Sequence, residues 1–136
     1  MQMLWATLRV ALAFVGCGML AVPSDALDLN GVWASDGSSC NKVFLRKGNE
    51  ITFSKDSEEY GGGFVVKGNR IIGQLAKCHI KSKKDDGSQI QILATCLTDI
   101  MPSDVHFHLK IVDGNTITRT IPEMEGMELT YVRCPQ

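Results

Sequence analysis

Two histidines, His106 and His108, have a type and spacing suited to metal chemistry. They flank Phe107 in a segment where apolar and polar side chains alternate. A β-strand would therefore place both imidazoles on one face, about 6 to 7 Å apart. Imidazole pairs of this kind bind zinc or copper when a neighbouring strand supplies a third ligand. We take His106 and His108 as a candidate metal site, with an ordinary polar strand face as the alternative.

Catalytic groups are not evident elsewhere in the chain. Ser38 and Ser39 lie in the turn-like stretch SDGSSC, and nothing around them resembles a nucleophile elbow. No pair of titratable residues has a spacing that would serve as general acid and base. We therefore expect a protein that is not an enzyme and that carries no cofactor.

Four of the five cysteines lie beyond the apolar N-terminal segment, at Cys40, Cys78, Cys96 and Cys134. An even number without a CxxC pair, in a short exported chain, favours two disulfides over a zinc site. Three pairings are possible. We prefer Cys40 with Cys134, which would tie the chain ends together, and Cys78 with Cys96, which would cross-link one hairpin.

Residues 1–26 have the pattern of a secretory signal peptide. Arg9 precedes an apolar run from Val10 to Val22, and small residues follow up to Ala26, after which we expect cleavage. The run is shorter than the roughly 20 residues that a membrane span needs, so we expect no integral span in the mature chain. A membrane anchor and a lipoprotein modified at Cys17 are the alternatives. The predicted location is periplasmic or secreted.

The charge balance argues against a nucleic-acid partner, because the formal net charge is only −1 at pH 7. The short basic cluster of Lys81, Lys83 and Lys84 is followed at once by Asp85 and Asp86. This alternation of sign is typical of a solvated hairpin tip.

The mature chain, 27–136, has the pattern of a single all-β domain. Val105, Phe107, Leu109 and Ile111 alternate with polar residues, a period that suits a strand and not a helix. Turn sequences rich in Gly, Asn and Asp, including the PSD stretch at 102–104, separate the apolar segments. Nine strands are predicted: Leu29–Ala34, Lys42–Arg46, Glu50–Ser54, Gly63–Lys67, Arg70–Lys81, Gln89–Leu97, Val105–Val112, Thr116–Ile121 and Glu128–Arg133. Their short connections favour an antiparallel up-and-down β-barrel of 8–9 strands, with a β-sandwich as the alternative.

The stretch LNGVW contains Gly31 and Trp33, and it resembles the G-x-W signature on the first strand of the calycin superfamily. That superfamily includes lipocalins, avidins and periplasmic protease inhibitors. The resemblance implies a barrel whose floor is Trp33, with Arg133 of the last strand packed across the indole ring. Biotin binding is not implied, because the mature chain lacks the additional tryptophans of avidins. An ordinary core tryptophan and a surface arginine are the alternative.

One loop has a composition that suggests binding. Three consecutive glycines follow two acidic residues and a tyrosine, so the loop should be mobile unless something holds it. Its residues are Glu58, Glu59, Tyr60, Gly61, Gly62 and Gly63. The alternative is a long hairpin connection whose glycines allow a β-bulge.

Together these features predict a small exported binding protein of the bacterial envelope that carries a small apolar ligand. This function needs interior space, so small residues such as Gly73, Ala76 and Ala94 should face inward. The alternative is a filled barrel that binds an envelope protein through its loops, as a protein-binding module or protease inhibitor.

Overall fold

The computed structural model describes Gly16, Gly18 and residues 26–135. The predicted signal peptide, 1–26, lies almost entirely outside the described residues, and so does Cys17. No helix in the part of the chain that the structure describes is long and apolar enough to cross a membrane.

Strands make up most of the regular secondary structure in the described chain, with one α-helix of four residues and two short 3₁₀ segments at Gly37–Ser39 and Ser57–Tyr60. In chain order the elements are β1 (Gly31–Ala34), α1 (Cys40–Val43), β2 (Phe44–Lys47), β3 (Glu50–Phe53), β4 (Gly63–Lys67), β5 (Arg70–Ile72), β6 (Lys77–Asp85), β7 (Gln89–Leu97), β8 (Pro102–Asp113), β9 (Thr116–Thr120) and β10 (Glu128–Arg133).

Eight of these strands close into an antiparallel barrel in the order β1-β10-β9-β8-β7-β6-β5-β4. From β4 to β10 each strand pairs with the next, and β1 closes the ring between β4 and β10. The predicted up-and-down barrel with two disulfides is therefore confirmed, and the β-sandwich alternative is wrong. Strands β2 and β3 form a separate hairpin outside the ring.

The outer hairpin explains why β1 has an unbroken apolar sequence. Trp33 points into the barrel, whereas Val32 and Ala34 on the other face pack with Phe44 and Val65 in a second core beneath the hairpin. A strand that is buried on both faces has apolar residues at successive positions and does not alternate between apolar and polar residues, as in parallel sheets. By contrast, β7 places its isoleucines inside and Gln89 and Gln91 outside, because its outer face meets solvent.

One predicted strand is two strands in the structure. Arg70–Lys81 was expected to be continuous, but β5 ends at Ile72 and β6 begins at Lys77. The backbone N–H of Gly73 donates to the carbonyl of Ala76 at 2.8 Å and closes a tight turn between them. The sequence prediction was wrong here because the turn contains a single glycine within an otherwise strand-like run.

The predicted hairpin tip is confined to the acidic end of its segment. Lys81, Lys83 and Lys84 belong to β6, and the tip of that hairpin follows Asp85. There Asp86 accepts hydrogen bonds from the backbone N–H groups of Gln89 and Ser88, and these bonds, the one from Gln89 above all, lower the pKa of its carboxyl.

The predicted PSD turn is instead the start of β8. The connection before it runs from 98 to 101, where the Thr98 hydroxyl accepts weak bonds from the backbone N–H groups of Ile100 and Met101. Threonine can supply the oxygen that asparagine or aspartate usually gives to such a turn.

Strands β8 and β9 differ in length. β9 ends at Thr120, opposite His108, so the first residues of β8, 102–107, have a ladder partner on β7 but none on the β9 side. The ladder between β8 and β9 therefore stops before the start of β8.

Both preferred disulfides are present. Cys40 pairs with Cys134 across 94 residues of sequence, and Cys78 pairs with Cys96, its direct partner on the adjacent strand. In the chain-entropy model the longer loop contributes about 4 to 5 kcal/mol and the shorter about 3 kcal/mol. Two disulfides indicate an oxidising compartment, periplasmic or extracellular.

Trp33 and Arg133 meet where the ends of the barrel join. Trp33 is fully buried, and its indole Nε1 donates to the carbonyl of Leu29 at 2.9 Å. The guanidinium of Arg133 lies 4.3 Å from the centre of the Trp33 ring. Its Nη1 donates to the carbonyl of Asn30 and its Nη2 to the carbonyl of Asp28, both at 2.6 Å. Arg133 thus ties the last strand to the segment that enters the first.

We expect Trp33→Ala to lower the free energy of unfolding by about 3 to 5 kcal/mol, because it empties a fully buried site.

Arg133→Met keeps the aliphatic stem and removes the charge-assisted hydrogen bonds, which should lower the free energy of unfolding by about 1 to 3 kcal/mol. Urea denaturation with the disulfides intact measures both. The control is Arg46→Met on the exposed outer hairpin. An Arg133→Met protein as stable as this control would contradict a structural role for the arginine.

Candidate functional site

The interior of the barrel contains a cavity of about 330 Å³. It reaches the end of the barrel formed by the β5–β6 and β7–β8 connections, because Gly73, Ala76 and Thr98 line it there. We call this end the mouth. The deeper lining comes from side chains of β4 to β10, and includes Phe64, Val66, Ile71, Ile92, Val105, Phe107, Leu109, Arg119 and Tyr131.

Small residues leave this space open. Gly73 and Ala76, two of the three positions expected to face inward, line the cavity at the mouth. Ala94, the third, is fully buried in the interior core and does not border the cavity. The opposite end is closed, because Trp33 and Leu29 fill it.

A second, more open cleft of about 440 Å³ lies outside the barrel, beside the Cys40–Cys134 disulfide. Phe44, Leu45 and Ile51 of the outer hairpin form one of its walls. Although this cleft is larger, it is a surface depression, whereas the interior cavity is surrounded by the sheet. Enclosure is what allows a site to bury most of a small ligand, so the interior cavity is the better candidate.

The mouth is surrounded by exposed apolar side chains, which we call the apolar rim. They come from the end of β7, the start of β10 and the connections between the strands. Ile100 is 88% exposed and Leu75 is 75% exposed, values that no core role explains. The rim comprises Leu75, Leu97, Ile100, Met101, Met124, Met127 and Leu129.

The glycine-rich loop, Glu58 to Gly63, is held in place on the outside of the barrel. Gly62 donates its N–H to the Ser35 hydroxyl at 3.0 Å and accepts a bond from the Ser35 N–H at 2.9 Å. The Tyr60 ring lies 5.0 Å from the Nζ of Lys42 and does not border the cavity. Of the six loop residues, only Gly63 lines the interior space.

His106 and His108 lie on the outer face of β8, as the alternation predicted. Within the described residues, no group of three or more His, Cys, Asp or Glu side chains is arranged to hold a metal ion. The metal hypothesis for His106 and His108 stays a prediction, without an assigned third ligand.

Electrostatic contacts near these histidines also lie outside the barrel. The carboxylate of Asp104 accepts a hydrogen bond from the Thr95 hydroxyl at 2.8 Å and pairs with Lys81 at 3.2 Å. These contacts, the Thr95 bond above all, hold the pKa of Asp104 below its usual value. They orient an exposed side chain and do not reach the cavity.

Arg119 is the residue of the cavity that the sequence analysis missed. It stands two residues after the buried Ile117 on β9, so both side chains point inward. Strand alternation around Ile117 could have revealed it, because an arginine at an inward position is unusual.

In comparisons with known proteins, no family model, curated protein or solved structure matches this chain. The resemblance to calycins therefore stays a prediction.

The cavity wall next to the mouth depends on a close approach at Gly63. A Cβ at this position would lie 2.5 Å from the Trp33 carbonyl oxygen and 2.7 Å from the Phe44 ring. We therefore expect Gly63→Ala to lower the unfolding free energy by about 1 to 3 kcal/mol through overpacking. Gly62→Ala is the matched control, because its Cβ would meet nothing within 4 Å. Thermal melts that shift equally for both variants would refute this account.

Proposed function

We propose that this chain is an exported, non-enzymatic binding protein of the bacterial envelope that carries a small apolar ligand inside its barrel. The observation that carries the proposal is the cavity of about 330 Å³, enclosed by the sheet and open at one end. An eight-stranded barrel is wide enough to hold one small ligand.

The chemistry of the lining supports an apolar ligand. Most of the residues around the cavity are aliphatic or aromatic, and the few polar groups are Arg119, Tyr131, Thr98 and Ser103. Small-molecule sites in proteins typically have this composition, with volumes of about 300 to 1,000 Å³. The floor at Trp33 limits the ligand to entry from the mouth.

Two further features support the wider proposal. The two disulfides fit the oxidising compartment that an exported protein reaches, in agreement with the signal peptide predicted at 1–26. The contact between Trp33 and Arg133 has the form that the calycin resemblance implies. Carrier function remains the proposal that these features favour.

Filling the cavity should abolish binding. We expect the neutral fluorescent probe N-phenyl-1-naphthylamine to bind saturably, with the blue shift that an apolar environment produces. Ala76→Phe places a large ring at the mouth and should remove this signal. Gln74→Phe is the matched control, since Gln74 is exposed on the same turn and does not line the cavity. Equal probe binding by both folded variants would place the probe outside the barrel.

The apolar rim favours a second function, binding of a protein at the mouth. Exposed apolar patches of this kind mark interaction surfaces. The β7–β8 and β9–β10 connections also carry Asp99, Glu123 and Glu125 and no basic residue. A partner suited to this surface would present apolar side chains beside lysine or arginine.

A rim variant tests the second function separately from ligand carriage. Ile100→Ser should lose a protein that chemical crosslinking captures from envelope extract, and it should keep the binding of the neutral probe. Val112→Ser is the control, because Val112 is 58% exposed at the opposite end of the barrel. If Ile100→Ser captures the protein as well as Val112→Ser does, the rim is not the binding surface for that protein.

A further inference from the structure

Arg119 is a cation on the inner wall of an apolar cavity. In the strand register it lies opposite Leu109 on β8 and Leu129 on β10, and its side chain is partly buried. Its guanidinium lies 4.6 Å from the centre of the Phe107 ring, which also lines the cavity. The aromatic face holds the guanidinium within the barrel and directs it along the interior wall.

No acidic group compensates this charge within the part of the chain that the structure describes. The two ion pairs there join Lys81 to Asp104 and Lys110 to Glu128, and no Asp or Glu lines the cavity. The Arg119 guanidinium also makes no hydrogen bond to a described residue, in contrast to Arg133, which donates to three carbonyls. Its five N–H donors are therefore available to an acceptor on a molecule bound in the cavity.

A second donor lies on the same wall. Tyr131 on β10 is opposite Ile117, so it is the diagonal neighbour of Arg119 on the inner face. Its ring is packed edge-on against Phe64, and its hydroxyl has no hydrogen-bond partner among residues 26–135. The cavity therefore presents a guanidinium and a phenol, and its lining offers no carboxylate to receive them.

We propose that the ligand of this cavity is an amphipathic monoanion, an aliphatic carboxylate whose head group pairs with Arg119. This inference rests on the proposed carrier function and specifies its ligand class. A carboxylate has the planar geometry that accepts two parallel bonds from a guanidinium. A single uncompensated cation matches one negative charge, so a phosphate dianion would enter the barrel with excess charge.

The lining determines the rest of the ligand. Leu109, opposite Arg119, and Ser103, near the mouth, are six residues apart on β8, roughly 20 Å along the strand. The inward residues between them are Val105 and Phe107, both apolar. An unbranched chain of medium length would follow this wall, so decanoic acid is a suitable probe ligand.

The test compares decanoate, decan-1-ol and decyl phosphate by displacement of N-phenyl-1-naphthylamine from the full mature chain. We expect the wild-type protein to prefer decanoate over both others. Arg119→Gln should bind decanoate about 10- to 100-fold more weakly, the equivalent of one charge-assisted pair, and should bind decan-1-ol as the wild type does. Arg119→Lys keeps the charge without the planar fork, and its affinity for decanoate should be intermediate.

Lys110→Gln is the matched control. Lys110 follows Leu109 on the same strand, but it is exposed and faces outward toward Glu128. Its loss changes the net charge as Arg119→Gln does and should leave decanoate affinity unchanged. An equal loss in both variants would show a general electrostatic effect and would overturn the assignment to Arg119.

The outcomes separate the two proposals. If the neutral probe binds, and decanoate has the same affinity for the wild type and for Arg119→Gln, the carboxylate inference is overturned. The carrier function would still stand. Absence of binding by every probe would overturn the carrier function itself, and tighter binding of decyl phosphate would overturn the monoanion assignment. If Arg119→Gln does not fold, the side-chain NMR signals of Arg119 in the wild type decide, because decanoate should shift them and decan-1-ol should not.

Discussion

Closure of the barrel at β1 is the constraint on which the rest of the structure depends. This strand has only four residues, and it must pair with β4 on one edge and with β10 on the other. The junction with β10 consists of two residue pairs, Trp33 with Arg133 and Ala34 with Val132. So short a ladder contributes few backbone bonds. Side chains supplement it, through the Arg133 bonds to the entering segment and the disulfide from Cys40 to Cys134.

The same junction divides the apolar residues into two cores. The inner face of β1 closes the floor through Trp33, and its outer face needs a cover because Val32 and Ala34 are apolar. The β2–β3 hairpin supplies that cover. Because Trp33 closes the floor, the remaining interior space lies between the floor and the mouth. The short strand β1 thus determines where in the barrel a ligand has room.

The fold was predictable where one physical rule dominated. The alternation along β8 predicted a strand with one solvated face, and the cysteine spacing allowed the correct pairings to be preferred. The outer position of β2 and β3 was not predictable, since Phe44, Ile51 and Phe53 have the same pattern whether they fill a barrel or cover one. Whether an apolar face lies inside or outside depends on its partner, which a single sequence does not specify.

The candidate site was predictable only in part. Gly73 and Ala76 were expected to leave space, and they line the cavity. The glycine-rich loop stays a candidate binding loop, and composition did not show that Ser35 holds it against the outside of the barrel. Arg119 escaped notice since a charged residue in a strand is ordinarily assigned to the solvent face. Its significance depends on the direction of the side chain, and that required the register of β9.

The unequal lengths of β8 and β9 have a consequence for self-association. Residues 102–107 form an open strand edge, and such edges recruit strands from other copies and begin edge-to-edge aggregation. Pro102 has no N–H to offer an incoming strand, and Asp104 would bring a charge close to any strand added there. Pro102 and Asp104 thus oppose the addition of a strand at this edge, where the ladder between β8 and β9 has ended.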